Sequence, residues 1–414
     1  MTSLRPVRGT RDILGEDARR HRTVIETGRE IARRFGYDEI GTPIFEFTEV
    51  FARTLGETSD VVSKEMYSFE DRGGERITLR PEFTAGVARA FISGSLGQQP
   101  PIRLFSTGPV FRYERPQKGR LRQFHQINVE VLGAPEPLAD VEVIALGDRL
   151  LEALEIQSDV VLELNSLGDA ESRNAYRELL VSYLGGHRNR LSEDSLNRLA
   201  RNPLRILDSK DPGDREVLKD APRMDESLNE ASRAFFARVR EGLDALGIAY
   251  HLNPALVRGL DYYTHTAFEF TTTALGAQGA VIAGGRYDGL IRTMGGPDTP
   301  GVGWAGGVER LAMLLDEPAP DERPVVVVPV GETVELEAWR LADELRRAGL
   351  RVELDFRGKV GQRLKKATQK NARFALLLGE DELTADTVVL RDLDAGEQAP
   401  VARGDLAERL RQPL

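Results

Sequence analysis

Residues 108–133, GPVFRYERPQKGRLRQFHQINVEVLG, limit the fold more than any other stretch. They read as two strands joined by a basic loop. The first strand is apolar at Val110 and Phe111 and then carries Arg112 and Glu114. The loop holds four cations, Arg115, Lys118, Arg120 and Arg122. In the second strand His125, Ile127, Val129 and Val131 share one face, and Gln126, Asn128 and Glu130 share the other. Such a hairpin implies an antiparallel sheet with one apolar face on a core. Pattern alone leaves the polar face open, because it suits solvent as well as a ligand.

The 414 residues suffice for two or three domains around this element. Residues 17–35 read as a helix, with Val24, Gly28, Ile31 and Phe35 on one stripe. A strand over 37–43 ends at Pro43. Strands are expected at 64–70 and 75–80 around the turn 71–74. Arg80-Pro-Glu-Phe-Thr84 then leads into a helix, where Thr84 fits an N-cap and Glu82 a solvated carboxylate. A helix over 140–154 and a strand over 160–164 follow. Residues 169–249 are charged, helical and poor in strand formers, which marks an inserted helical module within a domain formed by 1–168 and 250–317. Residues 318–324 are a linker by composition. In 325–414, strands at 325–330, 351–356 and 374–378 alternate with helices at 334–348 and 360–371, a small α/β domain. Its cations Arg363, Lys365, Lys366, Lys370 and Arg373 read as a solvated face.

Several chemistries are excluded. There is no cysteine, hence no disulfide, thiolate metal site or thiol nucleophile. The five histidines are scattered without ligand spacing, so no protein-bound metal site is expected. No Walker loop, GxGxxG turn or GxSxG elbow occurs. The net charge of −10 confines any nucleic-acid contact to local basic patches. The start of the chain lacks the apolar core of a secretory signal, and no apolar run nears the ~20 residues that span a bilayer, so a cytoplasmic protein is expected. Arg80, Arg112, Arg258 and Arg310 recur at element ends, and a cleft-facing arginine is costly unless an anion meets it. A polyphosphate is such an anion. The glycines of 301–307 would let a flat ligand or phosphate approach the backbone.

These segments resemble the class II aminoacyl-tRNA synthetases, and within them the histidyl-tRNA synthetase family, over nearly the whole chain. Tyr37-Asp-Glu-Ile-Gly-Thr-Pro43, Phe111-Arg-Tyr-Glu114 with the loop through His125, and GVGWAGGVERL (301–311) are similar to class II motifs 1, 2 and 3. LVRGLDYYT (256–264) and GGRYDGL (284–290) resemble the two peptides peculiar to the histidine enzymes, and RGTRD (8–12) and RPQKGRLRQFHQ (115–126) match as well. The resemblance implies an α+β fold: a six-stranded antiparallel sheet flanked by helices, a helical insertion and a C-terminal α/β anticodon-binding domain. It implies a homodimer formed largely through motif 1, and the partners ATP with its Mg2+, L-histidine and tRNA(His). Related regulatory subunits of ATP phosphoribosyltransferase are the alternative, but they usually lack the last domain and have eroded signatures.

The resemblance also implies residue roles. Arg112 and Arg258 would be catalytic, on either side of the α-phosphate, with Arg258 also touching histidine. Glu114, Phe124 and Arg310 would complete the ATP site. Glu82, Thr84 and Gln126 would meet the ammonium of histidine, Glu130 and Tyr263 its imidazole, and Tyr262 and Tyr287 would wall the pocket. Arg115, Gln117, Lys118, Arg120 and Arg122 would meet tRNA. Strict alternation along a strand would separate Arg258 from Tyr263, so a bulge is expected at Gly259. Position 83 is Phe where the family usually has Gly, and Phe83 is expected to point away from the amino acid.

Overall fold

The computed structural model describes residues 4–55, 61–117, 119–207, 209–257, 262–276, 279–317 and 322–411. The chain divides into two compact units, Met1–Ala319 and Pro320–Leu414.

The first unit opens with α1 (Gly15–Arg34), whose acidic first turn and basic last turn match the helix dipole. Val24, Gly28 and Ile31 are buried on the expected stripe. Gly28 is where Ile127 enters, since a Cβ there would lie 2.8 Å from Ile127 Cδ1. The strand expected over 37–43 shortens to β1 (Asp38–Glu39), after which Gly41 and Pro43 break the ladder. Next come β2 (Phe45–Phe47), α2 (Thr48–Leu55), β3 (Tyr67–Glu70) and β4 (Arg76–Leu79). These three strands form a small sheet ordered β2–β4–β3. Helix α3 (Thr84–Ser93) leads to the hairpin β5 (Ile102–Phe111) and β6 (Gln123–Leu132), then to α4 (Pro137–Ala153) and β7 (Val161–Ser166).

Residues 170–245 are helical, with α5 (Ala170–Gly185), α6 (Glu193–Arg201), α7 (Pro212–Leu218) and α8 (Glu230–Ala245). Each starts at a side chain that accepts a backbone N–H of the first turn: Asp169, Ser192, Asp211 and Asn229. Tyr176, Leu180, Leu184, Leu199 and Val217 make a core of their own, whereas Val239 and Leu243 of α8 join the core beneath the large sheet.

The first unit closes with β8 (His251–Leu252), β9 (Thr264–Thr271), β10 (Ala280–Arg286), α9 (Leu290–Thr293), β11 (Gly301–Gly307) and α10 (Val308–Leu314). The large sheet has the order β1–β5–β6–β11–β10–β9–β7–β8. Its six central strands are antiparallel, and the two-residue edges β1 and β8 pair in parallel. One face carries Phe105, Ile127, Val129, Val131, Phe268, Phe270, Val302 and Trp304 onto α1, α4 and α8. Burying each such side chain favours folding by ~1.5–3 kcal/mol. The other face packs Leu104 and Leu132 against Val87, Phe91 and Leu290 and carries polar groups beside them.

The second unit runs β12 (Val325–Pro329), α11 (Glu335–Arg347), β13 (Val352–Leu354), α12 (Val360–Gln369), β14 (Phe374–Leu378), α13 (Glu380–Thr384), β15 (Thr387–Asp392), β16 (Gln398–Ala402) and α14 (Leu406–Arg411). Its sheet is ordered β13–β12–β14–β15–β16, parallel through β14 and antiparallel beyond. The cations of 363–373 are not a simple solvated face. Arg363 is buried and bonds Glu335 at 3.0 Å, Lys366 pairs with Asp355, Lys370 with Glu353, and Arg373 with Asp392. Among the described residues, no helix is long and apolar enough to cross a membrane.

Candidate active site

The polar face of β6 forms part of a cavity of about 560 Å³. Glu82, Thr84, Gln126, Tyr262, Tyr263 and Tyr287 line it together with Arg112, Glu114, Arg120, Phe124 and Arg310. Eleven expected residues thus meet on one surface, although they come from five separate segments of the chain.

One end is acidic and aromatic. Glu130 is fully buried and does not itself line the cavity; it accepts from Thr84 Oγ1 at 2.6 Å, Asn128 Nδ2 at 2.7 Å and the Tyr287 hydroxyl. Burial pushes its carboxyl up to about 7, and these three donors offset part of that rise. Glu82 is no solvated carboxylate. It is 5 % exposed and caps α3, accepting the Thr84 and Ala85 N–H groups at 2.6 and 2.9 Å. Thr84 is therefore the first helical residue, which frees its hydroxyl for Glu130. Burial raises the Glu82 carboxyl too. Gln126 is buried, and its Oε1 has no hydrogen-bond partner. The rings of Tyr262 lie 4.6 Å from Tyr263 and 5.7 Å from Tyr287.

Glycines make room for this end. A Cβ on Gly303 would collide with the Glu130 carboxylate, and one on Gly301 with the Tyr287 ring. The open backbone of these two positions thus accommodates the protein's own side chains, where sequence reasoning assigned it to a ligand. Behind Tyr287, Arg286 is fully buried between Asp140, Asp288 and the carbonyls of Ala134 and Glu136. Burial opposes its charge, but the charges and hydrogen bonds of Asp140 and Asp288 together outweigh that and raise its pKa. Sequence reasoning did not single out this anchor. Its only signal was an arginine beside a glycine pair in a strand.

The other end is cationic. Arg112 donates to Pro81 O at 2.9 Å and lies 5.4 Å from the Phe124 ring centroid. Arg310, in the first turn of α10, donates to Gly119 O at 3.0 Å and Ala280 O at 2.8 Å. Burial lowers its pKa, and the nearby Arg120 and Arg112 lower it further. Glu114 forms an ion pair with Arg120. Arg120, expected to meet tRNA, lines the cavity, and Gln117 and Arg120 exchange backbone hydrogen bonds. Arg115 and Gln117 are exposed. Arg122 sits 3.8 Å from the Tyr113 ring centroid, and its backbone N–H donates to Gly9 O.

Other expectations change. Arg80 is buried, bonded to Pro109 O and Thr42 O, and stacked 4.1 Å from the centroid of Phe83, so it is a structural cation absent from the cavity lining. Phe83 is buried in that stack. Of the expected strand, Leu256, Val257, Tyr262 and Tyr263 lie outside any strand, and β9 begins at Thr264. Arg258, Gly259 and Lys118 lie outside the described residues.

The sequence and fold are similar to those of known proteins. The family model described as histidyl-tRNA synthetase matches residues 9–311, and that of an anticodon binding domain matches 324–412. A curated histidine–tRNA ligase of Rhodospirillum rubrum is 63% identical, with 99% of each chain covered. One from Gluconacetobacter diazotrophicus is 56% identical over 97% of each. The solved apo histidyl-tRNA synthetase of S. aureus superposes with a TM-score of 0.83 at 34% identity, covering 99% of this chain and 100% of its own. A Bacillus halodurans structure described as an ATP phosphoribosyltransferase regulatory subunit/histidyl-tRNA synthetase reaches a TM-score of 0.67 at 24% identity, which speaks for the fold alone. With a family model covering most of its length and such full-length relatives, the chain belongs to the histidyl-tRNA synthetase family.

Proposed function

We infer that the chain activates L-histidine with ATP and transfers the histidyl group to tRNA(His). The observation that carries the residue-level reading is the polarity of one cavity, with the buried carboxylate of Glu82 and three tyrosines at one end and three arginines at the other. Histidine offers an ammonium and an imidazole, and ATP offers a triphosphate. The two ends suit these groups in that order.

In the first step a carboxylate oxygen of histidine attacks the α-phosphorus of ATP. The bond to the bridging oxygen of the β-phosphate breaks, and pyrophosphate leaves. Charge builds on the α-phosphoryl oxygens, and Arg112 stabilises it while aligning the two anions. Arg258 is assigned the same task from the opposite side, and contact with histidine. Arg310 takes the γ-phosphate and Phe124 stacks on adenine. Glu114 orients Arg120 beside the phosphates. Mg2+ bound with the nucleotide would offset the charge of the triphosphate, and Glu114 and Glu269, which line the same cavity, would be the oxygen groups able to hold such a hard cation.

Glu82, Thr84 and Gln126 receive the ammonium, and the unpartnered Gln126 Oε1 supports this placement. Glu130 and Tyr263 read the two imidazole nitrogens, while Tyr262 and Tyr287 close the wall. A ligand lacking one nitrogen leaves a buried polar group unpaired, which is the strong kind of discrimination. In the second step a hydroxyl of the terminal tRNA ribose attacks the histidyl carbonyl and AMP leaves. Arg115, Gln117, Lys118 and Arg122 contact the acceptor end, 169–249 acts as an inserted module, and 325–414 reads the anticodon.

A homodimer is part of this reading. The small sheet next to motif 1 leaves Phe45, Phe47 and Phe69 about half exposed, as expected of a face that a second copy covers. A cytoplasmic location follows from the work assigned to the chain. ATP–pyrophosphate exchange tests the whole. Histidine should stimulate it and the other standard amino acids should not. Exchange with none of them would leave a regulatory role as the better reading.

A further inference from the structure

We propose that His21, His125 and Glu309 form a binding site for a divalent transition-metal ion of the zinc class. The residues come from three elements, α1, β6 and α10, and nothing in their spacing along the chain announces them. One ligand atom from each lies within 4.8 Å of the others. His125 Nδ1 is 3.0 Å from Glu309 Oε1, and the rings of His21 and His125 meet edge to face at 5.6 Å. Neighbouring ligands on tetrahedral zinc, each ~2.0–2.1 Å from the metal, are themselves roughly 3.3 Å apart, so a small closing movement of His21 completes the set.

The chemistry of each group fits. His21 is 6 % exposed, and its Nε2 has no hydrogen-bond partner. Glu309 is oriented by the His125 backbone N–H, which donates to both carboxylate oxygens at 2.9 and 3.0 Å. Two imidazoles and a carboxylate favour zinc, cobalt or nickel over magnesium and calcium, which prefer all-oxygen sites. His21 and Glu309 also border a second cavity of about 490 Å³, which leaves room for water in the fourth position. The cations there do not oppose an ion unaided, because Arg11 pairs with Asp17 and Arg20 with Glu16, each at 2.8 Å.

The location gives the site a consequence. His125 follows Phe124 and Glu309 precedes Arg310, so the ion would tie α1 to the two elements that carry the proposed adenine and γ-phosphate contacts. That consequence rests on the proposed function, whereas binding of the ion does not.

The test uses the full chain without a histidine tag. Co2+ and Zn2+ are titrated into metal-free protein, following the visible absorption of Co2+ and its displacement by Zn2+. One ion per chain is expected, with no competition from a large excess of Mg2+. His21→Gln should weaken binding at least tenfold. His21→Phe, which keeps the buried space filled, should do the same. Zn2+ should raise the thermal midpoint of the wild type and leave that of both variants unmoved. Either no stoichiometric binding by the wild type, or variants that bind and respond to Zn2+ as the wild type does, overturns the site.

Discussion

The chain uses its cations in two ways, and the contrast lies between the cavity of the first unit and residues 363–373 of the second, in and just after α12. Arg363, Lys366, Lys370 and Arg373 each meet a carboxylate, so their charge is cancelled where it stands. Arg112 and Arg310 are instead held by backbone carbonyls of Pro81, Gly119 and Ala280. A neutral acceptor positions a guanidinium without neutralising it. Burial, and then the like charges of Arg120 and Arg112, lower the pKa of Arg310. The carboxylates mirror this. Asp394 is held below the usual range by Arg323, whereas Glu130 sits among neutral donors and is driven up by burial. Neutral partners hold Arg112 in place without cancelling its charge, whereas carboxylates cancel the charges of the second unit.

The largest test of this contrast is Arg112→Ala or Arg310→Ala. Each should lower the rate of histidine-dependent pyrophosphate exchange ~10²–10³-fold, the usual cost of losing one preorganised donor. Matching rates for either variant would break the comparison at its cationic end. Arg363→Ala should leave exchange unchanged.

Glu130 gives the next largest effect. Below its unfolded value of 4.5 it is protonated in both states; between 4.5 and about 7 only the unfolded chain ionises, so the stability it contributes is lost as pH rises through that window. The displacement corresponds to about 3 kcal/mol. Glu130→Gln should flatten this part of the stability–pH curve measured by urea unfolding, and should sharply impair histidine activation. A wild-type curve that does not fall between 4.5 and 7 relative to the variant would show that Glu130 is already neutralised by a charge.

Tyr287→Phe removes one donor to Glu130 and should raise the carboxyl further, moving the upper edge of that window to higher pH, at ~1–2 kcal/mol of stability. An edge that stays in place would mean that Tyr287 acts only as wall. Arg363→Ala is smaller for the first unit and local in the second. It should destabilise the second unit by about 1–2 kcal/mol, read as an earlier unfolding transition, because the buried guanidinium loses its bonds to Gly358 and Glu335. Smallest of all, Arg115→Ala should weaken tRNA binding only a few-fold and make it less salt-dependent, since an exposed phosphate contact acts through counterion release.

Local pattern reached far in this molecule. Period-two alternation from 125 to 131 correctly separated the core face from the polar face of β6, because one face of a strand repeats every second residue whatever surrounds it. Strand–helix alternation in 325–378 located every element there to within a few residues. Pattern failed where a residue's partner is distant in the chain. Glu82 and Thr84 exchanged capping roles because Glu130, 46 residues on, competes for the threonine hydroxyl. Arg80 and Arg112 look alike as residue types, yet only the second lines the cavity.

The sequence by itself determined the family, the antiparallel sheet and the set of polar groups on its open face, since these rest on motifs and on periodicities that neighbouring residues impose. Only the tertiary structure decided which charges are cancelled and which are held ready, and that Gly303 yields its space to Glu130. It alone brought His21 to His125 and Glu309. Burial and the identity of a charge's partner are set by segments that meet only once the chain has folded.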